Sequence, residues 1–196
     1  MQGATRFWWV RHAPVEAEPG EIVGVLDRPC RAMDHAHVAA LRAMLPASAY
    51  ALTSGLLRCR ATAEALGLTA TATETDLREQ DFGVWQGRRW NDLTPAETAD
   101  FWVAPASARP PGGESFTDQV ARVSSTIGRL VKTVGDHDVV AVAHAGTIRA
   151  ALACAMGLEQ TPAPALCLAV DPLSLTRIDV VAEGAAVRLV NWRPRP

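Results

Sequence analysis

Two short apolar runs, Phe7-Trp8-Trp9-Val10 and Val139-Val140-Ala141-Val142-Ala143, constrain the fold of this chain more than anything else in it. Each falls far short of the roughly 18 residues that a membrane span needs. Neither alternates apolar with polar residues, so each reads as a strand buried on both faces, as in a parallel sheet covered by helices. The first run ends on Arg11-His12 and the second on His144. In open α/β sheets, ligands bind in the crevice outside the carboxyl ends of the strands. If both strands share one parallel sheet, two histidines and an arginine meet at one mouth. Such a mouth can hold a phosphate and attack it.

The order of elements supports that sheet. Strand Arg6–Arg11 leads into a loop rich in Pro, Gly and Glu that lasts to Pro29. A helix follows from about Met33 to Leu45, with Asp34 as its N-cap and Pro46 past its end. Ala49–Thr53 reads as a strand, and Leu57, Ala61, Ala65 and Leu66 mark a helix that stops at Gly67. Thr69–Thr75, alternating Thr with Ala, reads as a short strand at a sheet edge. Thr94-Pro95-Ala96-Glu97 carries a capping box with Pro at the first helical position, and Pro105–Gly113 cannot be regular. Ser115 caps a long amphipathic helix to about Val134. Strand Asp138–Ala143, a helix Thr147–Met156 and strands near Leu166–Val170, Leu175–Val181 and Val187–Trp192 complete the chain. The pattern predicts a three-layer α/β/α fold with a central, mostly parallel sheet. It reads as one domain over residues 1–196, with an inserted irregular segment at about Asp81–Gly113.

Charge and cysteine use exclude several classes. A net charge of −2 leaves no electrostatic footprint for nucleic acid or an anionic membrane. The first residues lack the charged-then-apolar layout of a signal peptide, and the four cysteines form no Cys-x-x-Cys pair. Reduced, mostly buried thiols in a cytoplasmic protein are the expectation. No histidine spacing matches a zinc site, so no metal or other cofactor is expected. His35 and His37 face different sides of a helix, and His137 reads as a turn residue. The cysteine-phosphatase, P-loop, dinucleotide and nucleophile-elbow motifs are all missing.

What remains is the sheet mouth. Arg11 offers a planar fork matched to phosphate oxygens and stays charged at any working pH. The helix after Thr53-Ser54 presents its N-terminus there, with Arg58 and Arg60 in its first turns. Being two residues apart, only one of these arginines faces the mouth easily.

These residues fall into four blocks: Arg11-His12; Ser54-x-Leu56-x-Arg58-x-x-x-Thr62-Ala63; Leu77-Arg78-Glu79-x-Asp81-Phe82-Gly83-x-Trp85-x-Gly87; and His144-Ala145-Gly146-Thr147-Ile148-Arg149. In that order they resemble the histidine phosphatase superfamily, which includes the phosphoglycerate mutases. Pro111-Gly112-Gly113-Glu114-Ser115-Phe116 further resembles its alpha-ribazole phosphatase branch. The resemblance implies a phosphoglycerate mutase-like fold and a phosphohistidine intermediate. His12 would be the nucleophile, with Arg11 and Arg58 clamping the phosphoryl group, His144 completing the pocket and Glu79 the acid/base. Nearby arginines should keep His12 neutral and nucleophilic. The implied activity is hydrolysis of a small phosphorylated substrate, with alpha-ribazole 5′-phosphate as the first candidate. Phosphoryl transfer of the mutase type, or a catalytically weak binding protein on the same fold, are the alternatives. Ala13 and Ala145 stand where the family usually has Gly, which requires negative φ at both positions, and Val15 replaces a frequent hydroxyl residue.

Overall fold

The computed structural model describes residues 3–69 and 71–194. In chain order, β1 (Thr5–Arg11) is followed by α1 (His35–Met44), β2 (Tyr50–Thr53), α2 (Leu57–Ala65) and β3 (Ala72–Thr73). Then come α3 (Pro95–Val103), α4 (Phe116–Val134), β4 (Asp138–Ala143), α5 (Ala145–Ala155) and the hairpin β5 (Leu175–Val181) and β6 (Gly184–Trp192). The strands form one six-stranded sheet in the order β3-β2-β4-β1-β5-β6. The pairs β3·β2, β2·β4 and β4·β1 are parallel, and the pairs β1·β5 and β5·β6 at the other edge are antiparallel.

The two apolar runs are therefore neighbours, in register from Arg6 opposite Asp138 to Arg11 opposite Ala143. Successive side chains of a strand point to opposite faces, and here both faces are covered. Phe7, Trp9, Val139 and Ala141 pack with α4 and α5, while Val10, Val140 and Val142 pack with α1 and α2. This explains why neither run alternates with polar residues. Among the described residues, no helix is long and apolar enough to cross a membrane.

The segment from Asp81 to Gly113 makes a small cap with its own core. Trp85, Leu93 and Phe101 close around Ile22, which comes from the loop after β1. Backbone bonds tie the two pieces: Ile22 N–H donates to Arg88 O at 2.9 Å, and Trp90 N–H to Gly20 O at 3.0 Å. Gly83 is required where the cap turns, because its φ is +52° and a Cβ there would lie 2.1 Å from Pro111 O.

The helices start where their caps dictate. Thr94 and Ser115 both form complete capping boxes, with Glu97 and Asp118. Helix α5 begins two residues earlier than the pattern suggested, at Ala145, because His144 itself occupies the N-cap position. The strand expected at Leu166–Val170 does not form. Pro162 and Pro164 impose a 3₁₀ turn at Ala163–Cys167, and the carbonyls of Leu168 and Val170 accept from Arg149 and Arg11 rather than from a strand. The edge strand expected at Thr69–Thr75 shrinks to β3, and Ala70 within it lies outside the described residues, as does the start of the N-terminal stretch. Of the four free cysteines only Cys59 is buried. Cys167 is exposed and the other two are half-buried, which corrects the expectation of mostly buried thiols.

Candidate active site

Parallel pairing of β1 and β4 delivers His12 and His144 to the same end of the sheet. Their rings meet edge-on, with centroids 5.0 Å apart. Beyond them opens a pocket of about 460 Å³, lined at its base by Arg11, His12, Arg58 and Glu79. His144 lies fully buried behind this base. The structure thus brings together Arg11, His12 and His144, expected at the sheet mouth, with Arg58, one of the two arginines offered there, and Glu79, which the resemblance implied.

The hydrogen bonds of His12 decide what its ring can do. Nδ1 sits 2.6 Å from the carbonyl of Ala13. A carbonyl only accepts, so Nδ1 carries the proton and Nε2 keeps a free lone pair. Burial, reinforced by the Arg58 and Arg11 charges, pushes the pKa of His12 down to about 3 against the opposing bond to Ala13. The ring is neutral across the physiological range, with Nε2 unprotonated. The same cause, burial first and then the charges of His12 and Arg58, holds His144 well below the ordinary histidine range.

Arg58 joins the base of the pocket to the loop above it. Its Nη1 and Nη2 donate to Leu26 O and Gly24 O, both at 2.7 Å, and its Nε lies 3.3 Å from His144 Nδ1. Since Nδ1 accepts, His144 carries its proton on Nε2 and donates to Ser54 Oγ at 2.8 Å, with Cys59 Sγ at 3.4 Å. Two N–H groups of Arg58 remain for a ligand. Arg60, two residues on, is exposed. Arg11 spends one donor on Val170 O, and its buried Nε has no partner. The turn that supplies Val170 passes through Leu173, a non-glycine residue at φ +55°, whose N–H donates to Arg11 O. That conformation is uncommon for a branched side chain and is held here by the site it shapes.

Glu79 points into the pocket from the turn between β3 and the cap. Its carboxylate accepts from Gln80 N–H, Gln119 Nε2 and Gly146 N–H at 3.0–3.2 Å. A Cβ at Gly146 would lie 2.2 Å from Glu79 Oε1, so glycine is needed for this approach. The neighbouring carboxylates do other work. Asp76 is exposed, and Asp81 caps Gly83 N–H at 2.8 Å.

Two expectations change. The first amide of α2 is not free for an anion, because Asp27 reaches across from the loop and accepts from Leu57 N–H at 2.6 Å. Among the described non-glycine residues only Leu173 and Asn191 have positive φ, so Ala13 and Ala145 meet their condition without strain. Sequence reasoning missed Gln119 and Arg122, which hold Glu79 from α4. Arg122 Nη2 donates to Glu79 O at 3.0 Å and to Glu114 at 2.6 Å. A glutamine three residues after Phe116 and four before Val123, on the apolar face of the helix, was the available signal. It also missed Phe82 and Trp90, which line the pocket from the cap. Among the described residues, no group of three His, Cys, Asp or Glu side chains is placed to hold a metal.

The chain as a whole resembles known proteins in sequence and fold. Residues 7–193 match the histidine phosphatase superfamily (branch 1). An alpha-ribazole phosphatase from Shigella flexneri superposes with a TM-score of 0.83 at 26% identity, covering 96% of each chain. A mycobacterial glucosyl-3-phosphoglycerate phosphatase gives 0.79 at 26% identity, covering 96% of this chain and 99% of that one. A bifunctional protein of Mycobacterium tuberculosis is 36% identical over 137 residues, 66% of this chain and 35% of that protein. The chain thus spans about a third of that relative's length.

Proposed function

The chain belongs to the histidine phosphatase superfamily, and from that premise we propose that it hydrolyses a small phosphomonoester through a phosphohistidine at His12, without a metal and in the cytoplasm. The observation that carries this reading is the bond from His12 Nδ1 to Ala13 O, which turns a neutral Nε2 toward a pocket floored by two arginines.

In the proposed reaction, Nε2 attacks phosphorus, the bond to the leaving oxygen breaks, and Glu79 supplies that oxygen with a proton. Water then attacks the P–N bond, gives a proton back to Glu79, and phosphate leaves with the ring restored. Charge on the phosphoryl oxygens in flight is met by fixed donors of Arg11 and Arg58, the electrostatic contribution that dominates phosphoryl transfer. His144 acts one step back, its Nδ1 accepting from Arg58 Nε and so fixing that guanidinium at the pocket base. Alpha-ribazole 5′-phosphate is the first substrate to try, on the strength of the Pro111–Phe116 segment and the Shigella flexneri neighbour. Mutase chemistry needs further cations to hold a carboxylate or second phosphate. Arg88 and Arg109 are instead paired with Glu97 and Asp118.

Rapid mixing with ³²P-labelled substrate and a quench in alkaline denaturant should leave label on His12, stable to alkali and labile to acid. His12→Ala should carry none, and chelators should leave turnover unchanged. Label on a serine, aspartate or cysteine would overturn the proposal.

A further inference from the structure

The cap contributes a different chemistry to the pocket from the sheet mouth. Its side of the lining is made by Ile22, Val23, Phe82 and Trp90, facing Val15 and Pro172. The two rings stand edge to face, with centroids 5.7 Å apart, and Trp90 is braced by Phe101 at 5.8 Å and Trp102 at 5.3 Å. A wall held this way is rigid before any ligand arrives, so stacking on it costs little side-chain freedom.

Charge in the same region points one way. Among the described residues lining the pocket, Arg11 and Arg58 are the only cations, and both sit at the phosphate end. Arg88 and Arg89 of the cap are drawn off by Glu97 and Glu18. The remaining charge in the lining is Glu21, whose carboxylate is held by Arg28 at 2.9 Å and by Glu18 N–H. A second anion on the substrate would find no free cation there and would face the Glu21 carboxylate.

We infer that Phe82 and Trp90 set the substrate class: phosphomonoesters of alcohols that carry a flat, uncharged aromatic or heteroaromatic ring, with esters bearing a second anion refused. This deepens the hydrolase reading and rests on it. It also divides the two neighbouring activities by chemistry, because a phosphoglycerate ester carries a carboxylate that this lining cannot pair.

The test compares esters whose leaving alcohols are equally acidic, so that reactivity cancels: 2-(naphthyl)ethyl phosphate, butyl phosphate and 4-phosphooxybutanoate. The expected order of kcat/KM is naphthylethyl above butyl by at least about tenfold, the scale of an aromatic contact plus its burial, and the carboxylate ester lowest. Trp90→Ala should shrink the naphthylethyl-to-butyl ratio toward one, chiefly through KM. Because that variant also disturbs the aromatic cluster, Val15→Arg serves as a gain-of-function partner that should raise the carboxylate ester relative to butyl phosphate. Equal kcat/KM for naphthylethyl and butyl phosphate, with phosphohistidine still trapped on His12, would overturn the substrate class and leave the hydrolase reading standing. Absence of both turnover and phosphohistidine with all three esters would overturn both.

Discussion

At the scale of single residues, the chemistry depends on which atom carries each proton. His12 is committed by one carbonyl: Ala13 O takes Nδ1–H and leaves Nε2 to react. Glu79 is committed by three donors, from Gln80, Gln119 and Gly146, that hold its carboxylate in the pocket. If Glu79 protonates the leaving oxygen, Glu79→Gln should slow transfer from an alkyl phosphate to His12 by about 10²–10⁴-fold, the usual scale of general acid catalysis. An aryl phosphate with an acidic phenol hardly needs that proton, so its single-turnover phosphorylation rate should fall far less. Equal losses on both esters would mean that Glu79 only braces the pocket. A leaving-group-dependent loss in Asp81→Asn would move the acid to that residue, although its bond to Gly83 N–H argues for a turn role.

Among the elements, two capped helices make a useful contrast. Ser115 is buried, and its hydroxyl donates to Asp118 at 2.6 Å while accepting from Asp118 N–H at 3.1 Å. The helix it starts, α4, packs its apolar face directly on the sheet. Ser115→Ala should therefore lower global stability by about 1–2 kcal/mol, read as a shifted urea midpoint at constant slope. Thr94 caps α3 in the same way, but α3 packs only within the cap, where Phe101 meets Trp85 and Trp90. Thr94→Ala should loosen the cap locally, giving faster amide exchange at Glu97–Phe101 and a raised KM, with little movement of the urea midpoint. A midpoint shift as large as that of Ser115→Ala would show that cap and sheet unfold as one unit.

For the whole molecule, burying two neutral histidines couples stability to pH. The folded pKa of His12 is about 3 against an ordinary 6.5, and His144 is displaced in the same direction. Below pH 6.5 the unfolded chain binds protons that the folded chain refuses. Stability is fully present above that pH and is lost as pH falls toward 3. His12 alone should contribute about 1.4 kcal/mol per pH unit between pH 5.5 and 4, with His144 and the low-lying carboxylates Glu97, Asp118 and Asp138 adding in the same direction. His12→Asn should remove that one contribution, since one proton disappears. Urea midpoints at half-unit pH intervals give the slope directly, and a slope untouched by the substitution would show that acid sensitivity comes from elsewhere.

Much of this was legible along the chain because it is carried by local rules. Strand burial on both faces shows as unbroken apolar runs in Phe7–Val10 and Val139–Ala143. Helix starts show as Asp34, Thr94 and Ser115, and those three caps stand where the sequence places them. Arg11, His12 and His144 were also readable, because they stand at the ends of those two strands, whereas Arg58 was one of two arginines at a helix start and Glu79 entered only through the resemblance. Other features depend on contacts between segments far apart in sequence, which no local pattern encodes. Asp27 takes the first amide of α2 from 30 residues away, and Gln119 and Arg122 reach Glu79 across 40 and 43 residues. Arginines claimed the carbonyls of Leu168 and Val170, so the expected strand there never paired. The aromatic wall of the pocket exists only because Ile22 and the cap fold onto each other. Local propensity set the elements and the reactive residues, and long-range packing and hydrogen bonding decided which groups were left free to meet a substrate.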